Sequence, residues 1–73
     1  MPRYHFDITN GRLHRDEIGE ELRDDREAWR IATRTVRDIE DVLAPGGTWR
    51  LVVRRDETLV YVVDVKTEWL AAE

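Results

Sequence analysis

Asn10-Gly11 sits between two short runs, Tyr4-His5-Phe6-Asp7-Ile8-Thr9 and Arg12-Leu13-His14-Arg15-Asp16, and constrains this chain more than any other feature. Asn-Gly flanked by alternating residues signals a β-hairpin closed by a two-residue type I′ turn, which needs positive φ at both central positions. Such a turn sets a register in which Thr9 faces Arg12, Ile8 faces Leu13, Asp7 faces His14, Phe6 faces Arg15 and His5 faces Asp16. Tyr4, Phe6, Ile8 and Leu13 then share an apolar face, and His5, Asp7, His14 and Asp16 share the polar one.

Downstream the period changes from two to 3.6. Asp16 to Arg23 reads as a loop turning at Gly19, with Leu22 tucked beneath the next element. Asp24 followed by Glu27 forms a capping-box pattern, so a helix is expected over 25–43. Its apolar stripe comprises Ala28, Ile31, Ala32, Thr35, Val36, Ile39, Val42 and Leu43, and Ala44-Pro45-Gly46-Gly47 ends it. Two more strands are expected near 48–54 and 59–65, where Trp49, Leu51 and Val53 alternate with Arg50, Val52 and Arg54. The residues 67–73 read as a loose tail or one helical turn. The expectation is a single α+β domain over 1–73, ββαββ, with a four-stranded antiparallel sheet. The expected strand order across the sheet is 2-1-3-4, with one long helix packed across one face.

The residues that punctuate this pattern resemble a known family. Pro2-Arg3-Tyr4-x-Phe6-Asp7, the turn glycine Gly11, Asp16-x-x-Gly19-x-x-Leu22 and Ala28-x-x-x-Ala32 resemble a family of short bacterial domains designated a domain of unknown function. The resemblance implies a compact α+β domain and brings no activity with it. His5 stands where that pattern has an aromatic residue. The hairpin, acidic-Gly loop and alanine-spaced helix also resemble, in architecture, the N-terminal part of HicB-type antitoxin domains.

Composition excludes several functions. The 73 residues contain no cysteine, so neither a disulfide framework nor a thiolate metal cage is available. No apolar run approaches the ~20 residues of a membrane span, and cytoplasmic residence is the default expectation. The net charge of −4 leaves the chain without an overall basic footprint, so nucleic acid is not the expected partner. With no serine, and with Gly46-Gly47 after a helix rather than before one, neither a Ser nucleophile nor a phosphate-cradling loop is present. No enzymatic activity and no cofactor are expected.

Three sets of residues remain as site candidates. His5, Asp7, His14 and Asp16 offer nitrogen and oxygen ligands for zinc or another divalent metal, although two cross-strand charge pairs on a solvated face are the plainer reading. Arg26, Arg30, Arg34 and Arg37 form a stripe able to meet phosphates. Neighbouring acids, including Asp38 and Asp41 at i,i+4 from Arg34 and Arg37, favour a self-neutralised surface instead. The third set follows from the second hairpin, which is apolar on both faces while one helix covers only one. Val52, Val60 and Val62 in one register, or Val52, Leu59 and Tyr61 in another, lack a cover, and Trp69 in the tail adds an exposed indole. The expectation is a small interaction module that forms a homodimer or docks on another protein. The alternatives are an antitoxin-like or regulatory component contacting a toxin or nucleic acid, and a metal-binding hairpin.

Overall fold

A computed structural model describes residues 1–71, and Ala72 and Glu73 lie outside the described residues. The elements are β1 (Arg3–Thr9), β2 (Leu13–His14), β3 (Glu20–Glu21), α1 (Asp25–Asp41), β4 (Thr48–Arg55) and β5 (Thr58–Lys66). They form one antiparallel sheet of five strands with a single helix against it, which is the α+β class expected. In detail the sheet differs from the four-stranded expectation. The path is β2-β1-β4-β5, and β3 pairs with the same edge of β1 as β2 does.

That fifth strand arises from how Asp16 interrupts the edge. β2 pairs Ile8 with His14, β3 pairs Tyr4 with Glu20, and the two registers differ by two residues. The excess is taken up by residues 15–19, which the Asp16 carboxylate ties down. It accepts from the Phe6 amide at 3.1 Å, where a ladder bond would otherwise form, and from the Gly19 amide at 3.0 Å. The strand expected over 12–16 is therefore only Leu13–His14.

The first turn also differs. Thr9 pairs with Leu13, so three residues, Asn10-Gly11-Arg12, close the hairpin instead of two. Gly11 does adopt positive φ (91°). One extra loop residue slips the register by one, and a one-residue slip moves every side chain of the returning strand to the other face. Leu13 consequently leaves the expected apolar face and is exposed, while His14 stands opposite Ile8 rather than Asp7.

α1 starts where the capping pattern places it. The Asp24 side chain accepts from the Glu27 amide at 3.0 Å. Ala28 and Ala32, both fully buried, let the helix approach the sheet closely, and Ile39 continues the buried stripe. Val42 is exposed because the helix ends at Asp41, two residues earlier than expected. The core joins Tyr4, Leu22, Ala28, Ala32, Leu51 and Val53, with Phe6, Ile8, Ile31, Val36, Val60, Tyr61 and Val63 packed around it. Trp49, at the start of β4, is half-buried beside Val65 at the far end of the sheet.

Beyond β5, Thr67 is pinned to the turn before β4. Its amide donates to the Gly47 carbonyl at 3.1 Å, and its hydroxyl to the same oxygen at 2.7 Å. No helix follows among the described tail residues, where Leu70 and Ala71 lie in a turn.

Candidate functional site

The two faces of the sheet follow from strand pairing. Phe6, Val53 and Tyr61 stand in one cross-strand row, as do Ile8, Leu51 and Val63, and both rows face α1. The alternate rows, Asp7-Val52-Val62 and Thr9-Arg50-Asp64, face away from the helix. A β-bulge between Val53 and Arg54 shifts the pairing so that Arg54 meets Leu59. The bulge therefore mixes the two registers considered for the second hairpin. Val60 and Tyr61 pack toward the core, whereas Val52, Val62 and Leu59 share the open face.

On that open face His5, Asp7 and Asp16 do come together, but around an arginine. Arg54 reaches diagonally from β4 and grips Asp7 with two bonds, Nε to Oδ2 at 2.6 Å and Nη2 to Oδ1 at 3.3 Å. Its side chain is 15% exposed and that of Asp7 12%. The same guanidinium reaches the Asp16 carbonyl, which also receives His5 Nδ1 at 2.8 Å, and the Asp16 amide donates to Asp7 Oδ1 at 2.9 Å. Burial pulls the Asp7 carboxyl upward, but the bonds from Arg54 and the Asp16 amide outweigh it and hold its pKa below the ordinary value. Burial likewise opposes ionisation of Asp16, and three backbone amides overcome it.

His14 is absent from this group because the register slip sends it to the other face. Among the described residues no three His, Cys, Asp or Glu side chains form an arrangement that would hold a metal ion. The carboxylates proposed as ligands are instead spent on Arg54 and on loop amides.

A second polar cluster, unforeseen from sequence, fastens the start of α1 to three strands. The Tyr4 hydroxyl and Arg55 Nη1 each donate to Asp25 Oδ1 at 2.6 Å, and the Tyr61 hydroxyl donates to the Asp25 carbonyl at 2.9 Å. These bonds, from Tyr4 first and then Arg55, lower the Asp25 pKa. Burial raises that of Tyr4, with the carboxylate beside it adding to the effect. The available signal was only the oddity of tyrosines at core positions, since a buried Tyr hydroxyl needs a partner.

The remaining candidates lie at the surface. Arg26, Arg30, Arg34 and Arg37 are all exposed, and none enters an ion pair among the described residues. The expected pairs Arg34–Asp38 and Arg37–Asp41 do not form. Glu27 pairs with Arg23. Val62 is 50% exposed, Leu59 63% and Trp69 60%. Arg50 and Asp64 form a bidentate exposed pair beside Val62. A shallow pocket at the end of the sheet is lined by Thr9, Trp49, Arg50, Asp64, Val65 and Lys66.

A family model described as "Domain of unknown function (DUF6894)" matches residues 3–66. The chain belongs to the DUF6894 family. No curated protein and no solved structure matches it, and the likeness to HicB-type antitoxins finds no support in these comparisons. The residues that carry the DUF6894 resemblance have structural work here. Tyr4 anchors Asp25, Asp7 holds Arg54, Asp16 shapes the edge loop, and Leu22, Ala28 and Ala32 are core. Among the described residues no helix is long and apolar enough to cross a membrane.

Proposed function

We propose that this domain is a small non-enzymatic interaction module that self-associates through β5. The carrying observation is the contrast between the two edges of the sheet. On one side the Asp16 loop caps the β1 edge, whereas β5 is a nine-residue outer strand with no strand beyond it among the described residues. Leu59-Val60-Tyr61-Val62-Val63 supplies no charge and no proline to blunt that edge, which proteins normally protect, and the bulge at Val60 leaves the run from Tyr61 onward regularly paired.

A second copy is the occupant that fits. Val62 is the central residue of Thr58–Lys66, so an antiparallel two-fold pairing sets Val62 beside its own counterpart. Within Thr58–Lys66 the same symmetry sets Lys66 opposite Thr58 and Asp64 opposite Val60, so no like charges face each other. The partly buried Val52 lies next to Val62 on the same open face and widens the apolar contact. The polar clusters around Arg54 and Asp25 serve as braces in this reading rather than as catalytic groups.

Sedimentation equilibrium from micromolar to hundreds of micromolar protein tests it. The expected result is a dimer that Val62→Lys dissociates, because two like charges then stand opposite each other across the axis. Val62 is half exposed, so the lysine is tolerated within one chain, and circular dichroism verifies the fold. A monomer mass over the whole range overturns the proposal.

A further inference from the structure

We infer that the outward face of α1 is a binding surface for the phosphodiester backbone of single-stranded nucleic acid. At 100° per residue Arg26, Arg30, Arg34 and Arg37 fall within about 80° of one another, on the side opposite Ala28, Ala32 and Ile39. They run along about 16 Å of helix axis at 1.5 Å per residue.

The placement works against the helix that carries it. Arg26–Arg30 and Arg30–Arg34 are like-charge pairs at i,i+4, a spacing that destabilises a helix. The last turn holds no base, although a cation there would be favoured by the helix dipole, and Asp38, Glu40 and Asp41 crowd that end instead. The acids that would neutralise the stripe do not reach it. Local preferences are broken in this way mainly where a site needs the residues in place.

Residue type and surroundings select the partner. Eleven of the twelve basic residues of the chain are arginines, including all four of the stripe, and the planar guanidinium matches phosphate oxygens two at a time where an ammonium acts as a point charge. Trp29 borders the stripe, 45% exposed, with its ring centroid 5.0 Å from that of Tyr61 and tilted by 55°. A braced, partly exposed indole beside evenly spaced cations is the pairing that binds single strands, with phosphates on the arginines and a base against the aromatic ring. An acidic polypeptide would use the arginines but leave the indole without a role.

The test is fluorescence anisotropy with a labelled single-stranded DNA of about 20 nucleotides, repeated with its duplex and in competition with poly-glutamate. Saturable binding at low salt is expected, with the logarithm of the affinity falling against log[salt] at a slope of about −3 for four phosphate contacts. The variant Arg30→Gln/Arg34→Gln should lose about 1.4 of that slope. Glutamine matches arginine in helix propensity, so the fold is retained and circular dichroism verifies it. Trp29→Ala should weaken the single strand more than the duplex. No saturable binding, an unchanged slope in the double variant, tighter binding of the duplex, or displacement by poly-glutamate at matched charge would each overturn the inference. The stripe lies on α1 and the self-association on β5, so either can fail alone.

Discussion

Arg54 and Asp7 are each nearly closed off from water, and two partners so placed must be judged together. Removing one leaves the other charge buried without compensation, which costs about 3–5 kcal/mol, whereas replacing both is far milder. Arg54→Met is therefore expected to lose about 3 kcal/mol at pH 7. The Asp7→Asn/Arg54→Met double variant should lose less than the two single changes added. The pH dependence has a definite sign. Asp7 and Asp16 have folded pKa values below their ordinary ones, so the stability they contribute is present above the unfolded value. It is lost as pH falls through the folded values, from about pH 5 downward. Urea midpoints should thus decline in acid for the parent. The penalty of Arg54→Met should shrink there, because a protonated Asp7 no longer needs its partner. A penalty that stays constant from pH 7 to pH 3 would show that Arg54 acts through packing alone.

The first hairpin and the loop after it each turn on a glycine at positive φ, but the two glycines have different surroundings. Gly11 has open space where a Cβ would stand, so Gly11→Ala meets only the conformational cost, about 1 kcal/mol. Gly19 has φ of 74°, and an added Cβ would lie 2.7 Å from His5 Cε1 and 2.9 Å from Arg3 Cγ. The loop of residues 15–19 therefore presses on the imidazole that its own Asp16 carbonyl anchors. Gly19→Ala should cost more than Gly11→Ala by about 1–3 kcal/mol of overpacking. His5→Ala introduced into the Gly19→Ala background should recover part of that loss. Equal denaturation midpoints for the two glycine variants would mean that the loop yields without disturbing the sheet.

A domain of this size buries only about 60% of the surface that its unfolded chain exposes, which leaves a small margin of stability. The fully buried set amounts to a handful of side chains clustered where α1 crosses the sheet. Covering β5 with a second chain would add to that margin, and mass action then ties stability to concentration. The melting temperature should rise as the parent is concentrated. Val62→Lys should melt at a concentration-independent temperature near that of the dilute parent. A parent whose melting temperature is the same at every concentration would count against coupling between folding and association.

How much of this was legible depended on the range of the interactions. The helix could be read from Asp24, Glu27, Ala28, Ala32 and the Pro45-Gly46-Gly47 stop, because capping and 3.6-residue periodicity are local. The β4–β5 hairpin could be read from alternation for the same reason. Register could not. Asn10-Gly11 is compatible with two- and three-residue loops, and the choice was made by Asp16 bonding to Phe6 and Asp7, partners nine and ten residues away. That one choice sent His14 to the opposite face and broke up the candidate quartet of metal ligands. Likewise Arg54 shows no local sign of pairing with Asp7, 47 residues earlier. The sequence by itself determined the helix, β1 and the β4–β5 hairpin and which of their faces are apolar, since those depend on neighbours within a few residues, whereas the short β2 and the added β3 followed from the Asp16 contacts. Tertiary structure alone decided which charges meet across the sheet and which edge stays open, because a pairing register is set by contacts that only the folded chain brings together.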